Sequence, residues 1–103
     1  MIDSADVFLR PSSRQLVATL LLEGASERDK KIRNLLYLAA QKITDANLER
    51  YEMARALCIV LKRIGGSILV PRQIAAAVSS SDELSIVDDE RTGDVLIFLR
   101  GAA

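Results

Sequence analysis

Residues 51–70, YEMARALCIVLKRIGGSILV, form the stretch on which the predicted fold depends. At about 100° per residue, its apolar side chains fall on one wide helical face as far as Ile64. Gly65-Gly66 then ends the helical pattern, since glycine is the usual residue just after a helix C-terminus. Ser67–Val70 is short, apolar and partly β-branched, which predicts a strand that Pro71 ends. The stretch therefore joins a helical N-terminal half to a C-terminal sheet.

Two further helices are predicted before this stretch. Ser12 and Gln15 have the spacing of a capping box, and Gly24 lies where the first helix is expected to end. A strand over residues 16–22 is the alternative, because that run also contains residues that favour strands. Ser26 is expected to cap a second helix with a continuous apolar face. That face consists of Ile32, Leu35, Leu36, Ala39, Ala40 and Ile43.

Charge spacing supports the second helix, and a pair of capping residues indicates where the third begins. Glu27 with Lys31 and Asp29 with Arg33 are acid-first pairs four residues apart, a spacing that stabilises a helix by a few tenths of a kcal/mol. Thr44-Asp45 is expected to cap the third helix, which is predicted over residues 46–64.

The C-terminal part predicts a small sheet. A helix is expected over Arg72–Val78, and strands over residues 84–87 and Val95–Leu99 flank an acidic turn in which Gly93 suits a positive φ. Because Val95–Leu99 is apolar on both faces, it is expected to be central in the sheet or covered on both sides. We expect one α+β domain over residues 1–103, with three N-terminal helices and then a β-α-β-β unit whose three-stranded sheet carries the helices on one face. Residues 1–11 are expected to be a flexible or ordered arm, or a short strand.

The composition excludes several functions. Fourteen basic residues balance fourteen acidic ones, so the zero net charge gives no steering toward nucleic acid or an anionic membrane. The chain has no histidine, the commonest general base and metal ligand. One cysteine, Cys58, excludes an internal disulfide and fits a reducing compartment. With no membrane span and no export signal, we expect a cytoplasmic protein.

No motif predicts a catalytic, cofactor-binding or metal-binding residue. Gly65-Gly66-Ser67 precedes a strand and lacks the lysine of a phosphate-binding loop, so it is interpreted as a helix end. The acidic turn lacks the spacing of a calcium loop. Cys58 lies in an apolar run without a base, and is interpreted as structural. We therefore expect a protein that is not an enzyme and uses no cofactor.

Four apolar residues lie on sides of helices that are otherwise polar. Ile59 and Leu48 fall among the charged residues of the third helix, and Tyr37 and Leu38 fall off the apolar face of the second. Such residues are typical of an interface with an apolar centre and a polar rim. Tyr37, Leu38, Leu48 and Ile59 are therefore the candidate interface of a homodimer or small homo-oligomer, acting as an interaction or regulatory module.

Two alternatives remain open. The order of helix, strand, helix and hairpin loosely matches a winged-helix DNA-binding regulator, although the acidic hairpin would repel phosphates and makes nucleic acid an unfavoured partner. A small-ligand sequestering protein is the second alternative, with an interface pocket lined by Arg55, Arg63 or Arg72. The motif-free character resembles small accessory proteins of phages and mobile elements, a resemblance that carries no functional residues.

Overall fold

The computed structural model describes residues 10–45, 47–48, 52–88, 91 and 93–101, so the predicted arm lies outside the described residues except for its last two positions. Four helices and three strands follow one another in these ranges. They are α1 (Pro11–Ala25), α2 (Lys30–Thr44), α3 (Met53–Ile64), β1 (Ser67–Val70), α4 (Arg72–Val78), β2 (Leu84–Asp88) and β3 (Val95–Leu99). The predicted α+β fold is thereby confirmed, and the alternative strand over residues 16–22 is wrong because that run lies within α1.

The three strands form an antiparallel sheet in the order β1-β3-β2. β3 is central, as its doubly apolar sequence predicts, and pairs Val95 with Val70 on one side and with Asp88 on the other. Because side chains alternate between the two faces of a strand, the register places Ile68, Val70 and Ile97 on the same inner face. Val70 and Ile97 are fully buried and Ile68 packs against the core, so the helices cover the inner face.

The core is built from aliphatic side chains of every helix and every strand. Its largest fully buried members are Leu20, Leu36, Ile43, Met53, Leu57, Leu61, Ile74, Ile97, Val60, Val70, Val78 and Val95.

The predicted helix caps are wrong at both N-terminal helices. α1 begins at Pro11, because proline's missing N–H costs nothing at the first position of a helix. Arg10 is the N-cap residue, and its side chain makes no capping hydrogen bond. Ser12 is therefore buried inside the first turn instead of capping it. α2 is capped by Asp29, whose carboxylate accepts from the N–H groups of Lys31 and Ile32. A carboxylate is the stronger cap here because it also meets the positive end of the helix dipole.

The two predicted ion pairs on α2 do not form, because both acids are used elsewhere. Asp29 is the cap, and Glu27 pairs with Arg63 at the C-terminal end of α3. Glu23 also lies 3.7 Å from Arg63. These contacts between residues far apart in sequence tie the α1–α2 turn to α3.

The central stretch folds as predicted at its C-terminal end but not at its start. α3 begins at Met53, and residues 47, 48 and 52 are not helical, so the predicted helix over residues 46–64 is too long. Gly65 has φ 69° and ends α3 in the left-handed conformation, in agreement with the sequence. Pro71 is the N-cap of α4 and not its first helical residue.

Candidate interaction surface

The outer face of the sheet is apolar and only partly covered. It carries Leu69 of β1, Leu96 and Phe98 of β3, and Val87 of β2. Leu69 and Val87 are 36% and 49% exposed, whereas Leu96 and Phe98 are half-buried. In the register, Leu69, Leu96 and Val87 form one row across the three strands. Large apolar side chains are therefore presented side by side on a surface that carries no charge at its centre.

A groove continues this surface around the edge strand. The groove lies beside β1 and has a volume of about 560 Å³. The wall opposite β1 is α1, where Leu22 is 71% exposed. The lining contains no charged side chain; it consists of Gln15, Leu16, Ala18, Thr19, Leu22, Ser67, Ile68, Leu69 and Leu96.

The structure divides the four residues of the sequence-predicted interface into two pairs. Leu48 and Ile59 are half-buried and pack against the core, so a large part of each side chain is already covered by the chain itself. An Ile59→Asp change would therefore be expected to destabilise the fold as well as any interface. Tyr37 and Leu38 are 38% and 45% exposed, and their role in an interface stays a prediction.

Tyr37 has a packing role that the sequence did not reveal. Its ring lies against Gly24 of α1, and a Cβ built on Gly24 would be 2.7 Å from Cε1 of Tyr37. Gly24 therefore lies inside α1 to let the two helices approach, whereas the sequence placed it at the end of the helix. Leu38 lines a separate cleft of about 420 Å³ between α2 and α3, together with Lys31 and Arg55.

The three arginines of the predicted ligand pocket have different neighbours. Arg55 lies at the cleft between α2 and α3, 3.8 Å from Glu52. Arg63 pairs with acids at the α1–α2 turn, as described above, and Arg72 of α4 lies 3.1 Å from Asp88. The single chain does not bring these guanidinium groups together.

The environment of the Cys58 thiol does not activate it as a nucleophile. Burial, followed by a hydrogen bond with Glu83 and its negative charge, raises the pKa of the Cys58 thiol from 9.0 to about 11. A thiol with a raised pKa carries little thiolate at neutral pH and is a poor nucleophile. The described residues contain no group of three or more cysteine or acidic side chains that could hold a metal ion.

The hairpin and α4 depart from the winged-helix pattern. Residues 71–88 are all described, and α4 is the one helix between β1 and β2, so the second helix of a helix-turn-helix is missing there. At the start of β3, Asp94 binds Arg10 through Nε at 3.1 Å and Nη2 at 2.8 Å. This contact fixes the start of α1 next to the hairpin.

No family model matches the chain, and neither the curated proteins nor the solved structures include a significant match to it. None of the helices in the described ranges has the length and apolar character needed to cross a membrane.

The apolar outer face had a signal in the sequence. Val95–Leu99 is apolar at every position, and the fold prediction placed helices on one face of the sheet only. Together these two points imply that one alternate set of its side chains, either residues 95, 97 and 99 or residues 96 and 98, faces away from the helices. In the structure this set is Leu96 and Phe98. The groove had no such signal, because it depends on where α1 packs relative to β1.

Proposed function

We propose that this protein is a non-enzymatic interaction module that self-associates through the outer face of its sheet. The observation that carries the proposal is the row Leu69–Leu96–Val87, which is apolar, uncharged at its centre and partly exposed. A second copy is the partner we propose, because a flat apolar face can stack on an identical face and the zero net charge adds no repulsion between copies.

The size of the face sets the expected strength of association. Three strands about 4.8 Å apart, with a rise of about 3.3 Å per residue, give a footprint of roughly 230 Å². A stable interface buries about 800 Å² on each partner, so the sheet face must be extended by neighbouring side chains such as Leu22. We therefore expect a reversible dimer with a Kd on the order of micromolar. The reducing cytoplasm is the compartment we propose, because the single cysteine of the chain is a buried free thiol.

Light scattering coupled to size exclusion, over a range of protein concentrations, tests the proposal. The parent should change from monomer to dimer as concentration rises, and Val87→Lys should remain a monomer, because a buried lysine in the stacked face would be unpaired. Leu38→Lys is the matched control, since Leu38 is 45% exposed on α2 and lies away from the sheet. A parent that is monomeric throughout, or a dimer that only Leu38→Lys dissociates, would contradict the proposal; the second result would favour the interface predicted from the sequence.

A further inference from the structure

β1 is an edge strand of the described sheet, so one side of its backbone has no neighbouring strand within the described ranges. The N–H of Arg100 donates to the carbonyl oxygen of Glu83 at 2.9 Å, just beyond the β2–β3 ladder. Since hydrogen-bonded pairs alternate along an antiparallel ladder, the even-numbered residues of β3 bond to β2 and the odd-numbered ones bond to β1. The register pairs those odd-numbered residues with Ile68 and Val70. The N–H and C=O groups of the other two β1 residues therefore point to the free edge.

Those two residues are Ser67 and Leu69, and both line the groove beside α1. Their outward backbone groups make no hydrogen bond with any other described residue. They supply two donors and two acceptors at alternate positions, which is the spacing that an added strand requires. No described residue pairs with this edge, and a groove of about 560 Å³ lies next to it.

The charges around the groove restrict what it can hold. α1 runs in the opposite direction to β1, because Arg10 at its start binds Asp94 near Val70 and its last turns approach Arg63 near the start of β1. Arg14 lies one helical turn before the groove residue Ala18 and forms no ion pair among the described residues. The groove therefore has an uncharged centre and an unpaired cation toward its Val70 end.

We propose that the groove between α1 and β1 binds an extended peptide segment of another protein, which adds to β1 as a fourth strand. The segment has apolar side chains at alternate positions, to contact Leu22 and Leu69, and an acidic residue near Arg14. A peptide fits better than a second copy. Because α1 flanks the free edge in each copy, two copies joined through β1 would have to place both α1 helices beside the paired strands. A peptide strand brings no second helix into that space. The site shares Leu69 and Leu96 with the stacking face but also uses the outer backbone edge of β1, and Val87 lies two strands away on β2.

Amide hydrogen exchange by NMR, on the full chain, tests the register of the added strand. The probe is the synthetic peptide acetyl-Asp-Thr-Val-Thr-Val-Thr-Asp-amide. At saturation, exchange of the Ser67 and Leu69 amides should slow by at least about tenfold, while the Ile68 and Val70 amides, already bonded to β3, should not change. The control probe is the same peptide N-methylated at alternate residues, which should not bind because it has lost the donors on one edge.

Two arginine substitutions at exposed alanines distinguish a loss of peptide binding caused by blocking the groove from one caused by a general effect on the fold. Ala18→Arg, inside the groove, should weaken binding of the probe by at least about tenfold, whereas Ala77→Arg on α4 should leave it unchanged. Val87→Lys should bind the probe at least as tightly as the parent, because self-association through the stacking face no longer covers Leu69. Binding by this variant therefore tests the groove independently of self-association. Circular dichroism checks that each variant is folded.

Several results would overturn the proposal. One is the absence of binding at about 1 mM probe, a concentration that detects even weak complexes. Another is equal binding of the N-methylated peptide, or no loss of binding in Ala18→Arg. Without peptide, concentration-independent protection of the Ser67 and Leu69 amides would show that the chain itself fills the edge, and concentration-dependent protection would show that a second copy does.

Discussion

Gly24→Ala should destabilise the protein, although alanine is normally the better residue within a helix. In an unconstrained helix the change would stabilise by up to about 1 kcal/mol. Here the new Cβ would lie 2.7 Å from Cε1 and 2.9 Å from Cδ1 of Tyr37, well inside the optimal carbon–carbon separation of about 3.5–4.0 Å. The tyrosine ring or the helix must then move, and overpacking of this kind costs about 1–3 kcal/mol. The expected net loss is about 1 kcal/mol.

A double-mutant cycle isolates the contact between the two helices. In a Tyr37→Ala background the added Cβ has no ring to meet, so Gly24→Ala should stabilise by up to about 1 kcal/mol. The coupling free energy between the two positions should therefore be about 2 kcal/mol. Gly66→Ala is a useful control, because a Cβ on Gly66 would have no atom within 4 Å. This substitution should therefore change the free energy of unfolding little.

Urea unfolding followed by circular dichroism provides the free energies for the cycle, with an unchanged m-value as the check that unfolding remains two-state. The reasoning would be refuted if Gly24→Ala stabilised the protein equally in both backgrounds. That result would mean that Tyr37 does not pack on α1, and it would return Tyr37 to the group of side chains available for an interface.

Two buried polar groups give further predictions. Ser13 is fully buried and its Oγ has no hydrogen-bond partner among the described residues, so Ser13→Ala should raise the free energy of unfolding by about 1 kcal/mol in a urea titration. A loss of stability would show that the hydroxyl is bonded. For Cys58, the pKa of about 11 in the folded protein lies above the ordinary thiol value of 9.0, so its protonated form stabilises the fold below pH 9 and this stabilisation is lost as pH rises from 9 to 11. Cys58→Ala should therefore show a weaker fall in stability across that range than the parent, and equal slopes would contradict the raised pKa.

The parts of the fold that the sequence predicted correctly depend on local chemistry. Gly65 ends α3 because glycine tolerates φ 69°, and Gly93 has φ 76° in the hairpin. The wrong predictions involve residues with more than one available partner. Glu27 was expected to pair with Lys31 within its own helix, but it pairs with Arg63, thirty-six positions further along the chain. A spacing rule cannot anticipate such a competitor, because it contains no information about which helices become neighbours.

The same reasoning explains why the proposed stacking face differs from the interface predicted from helical periodicity. A helical wheel identifies Ile59 as apolar among charges, but whether Ile59 is covered depends on the packing of elements distant in sequence, and here it packs on the core. A strand has only two faces, so a strand that is apolar on both necessarily presents one of them away from the helices when these pack on a single side. This conclusion needs only the alternation of β3 and the number of layers, and the structure shows that the outward set is Leu96 and Phe98. In a small α+β protein, a doubly apolar central strand is therefore a better sequence signal for an apolar face turned away from the helices than an isolated apolar residue on a helix.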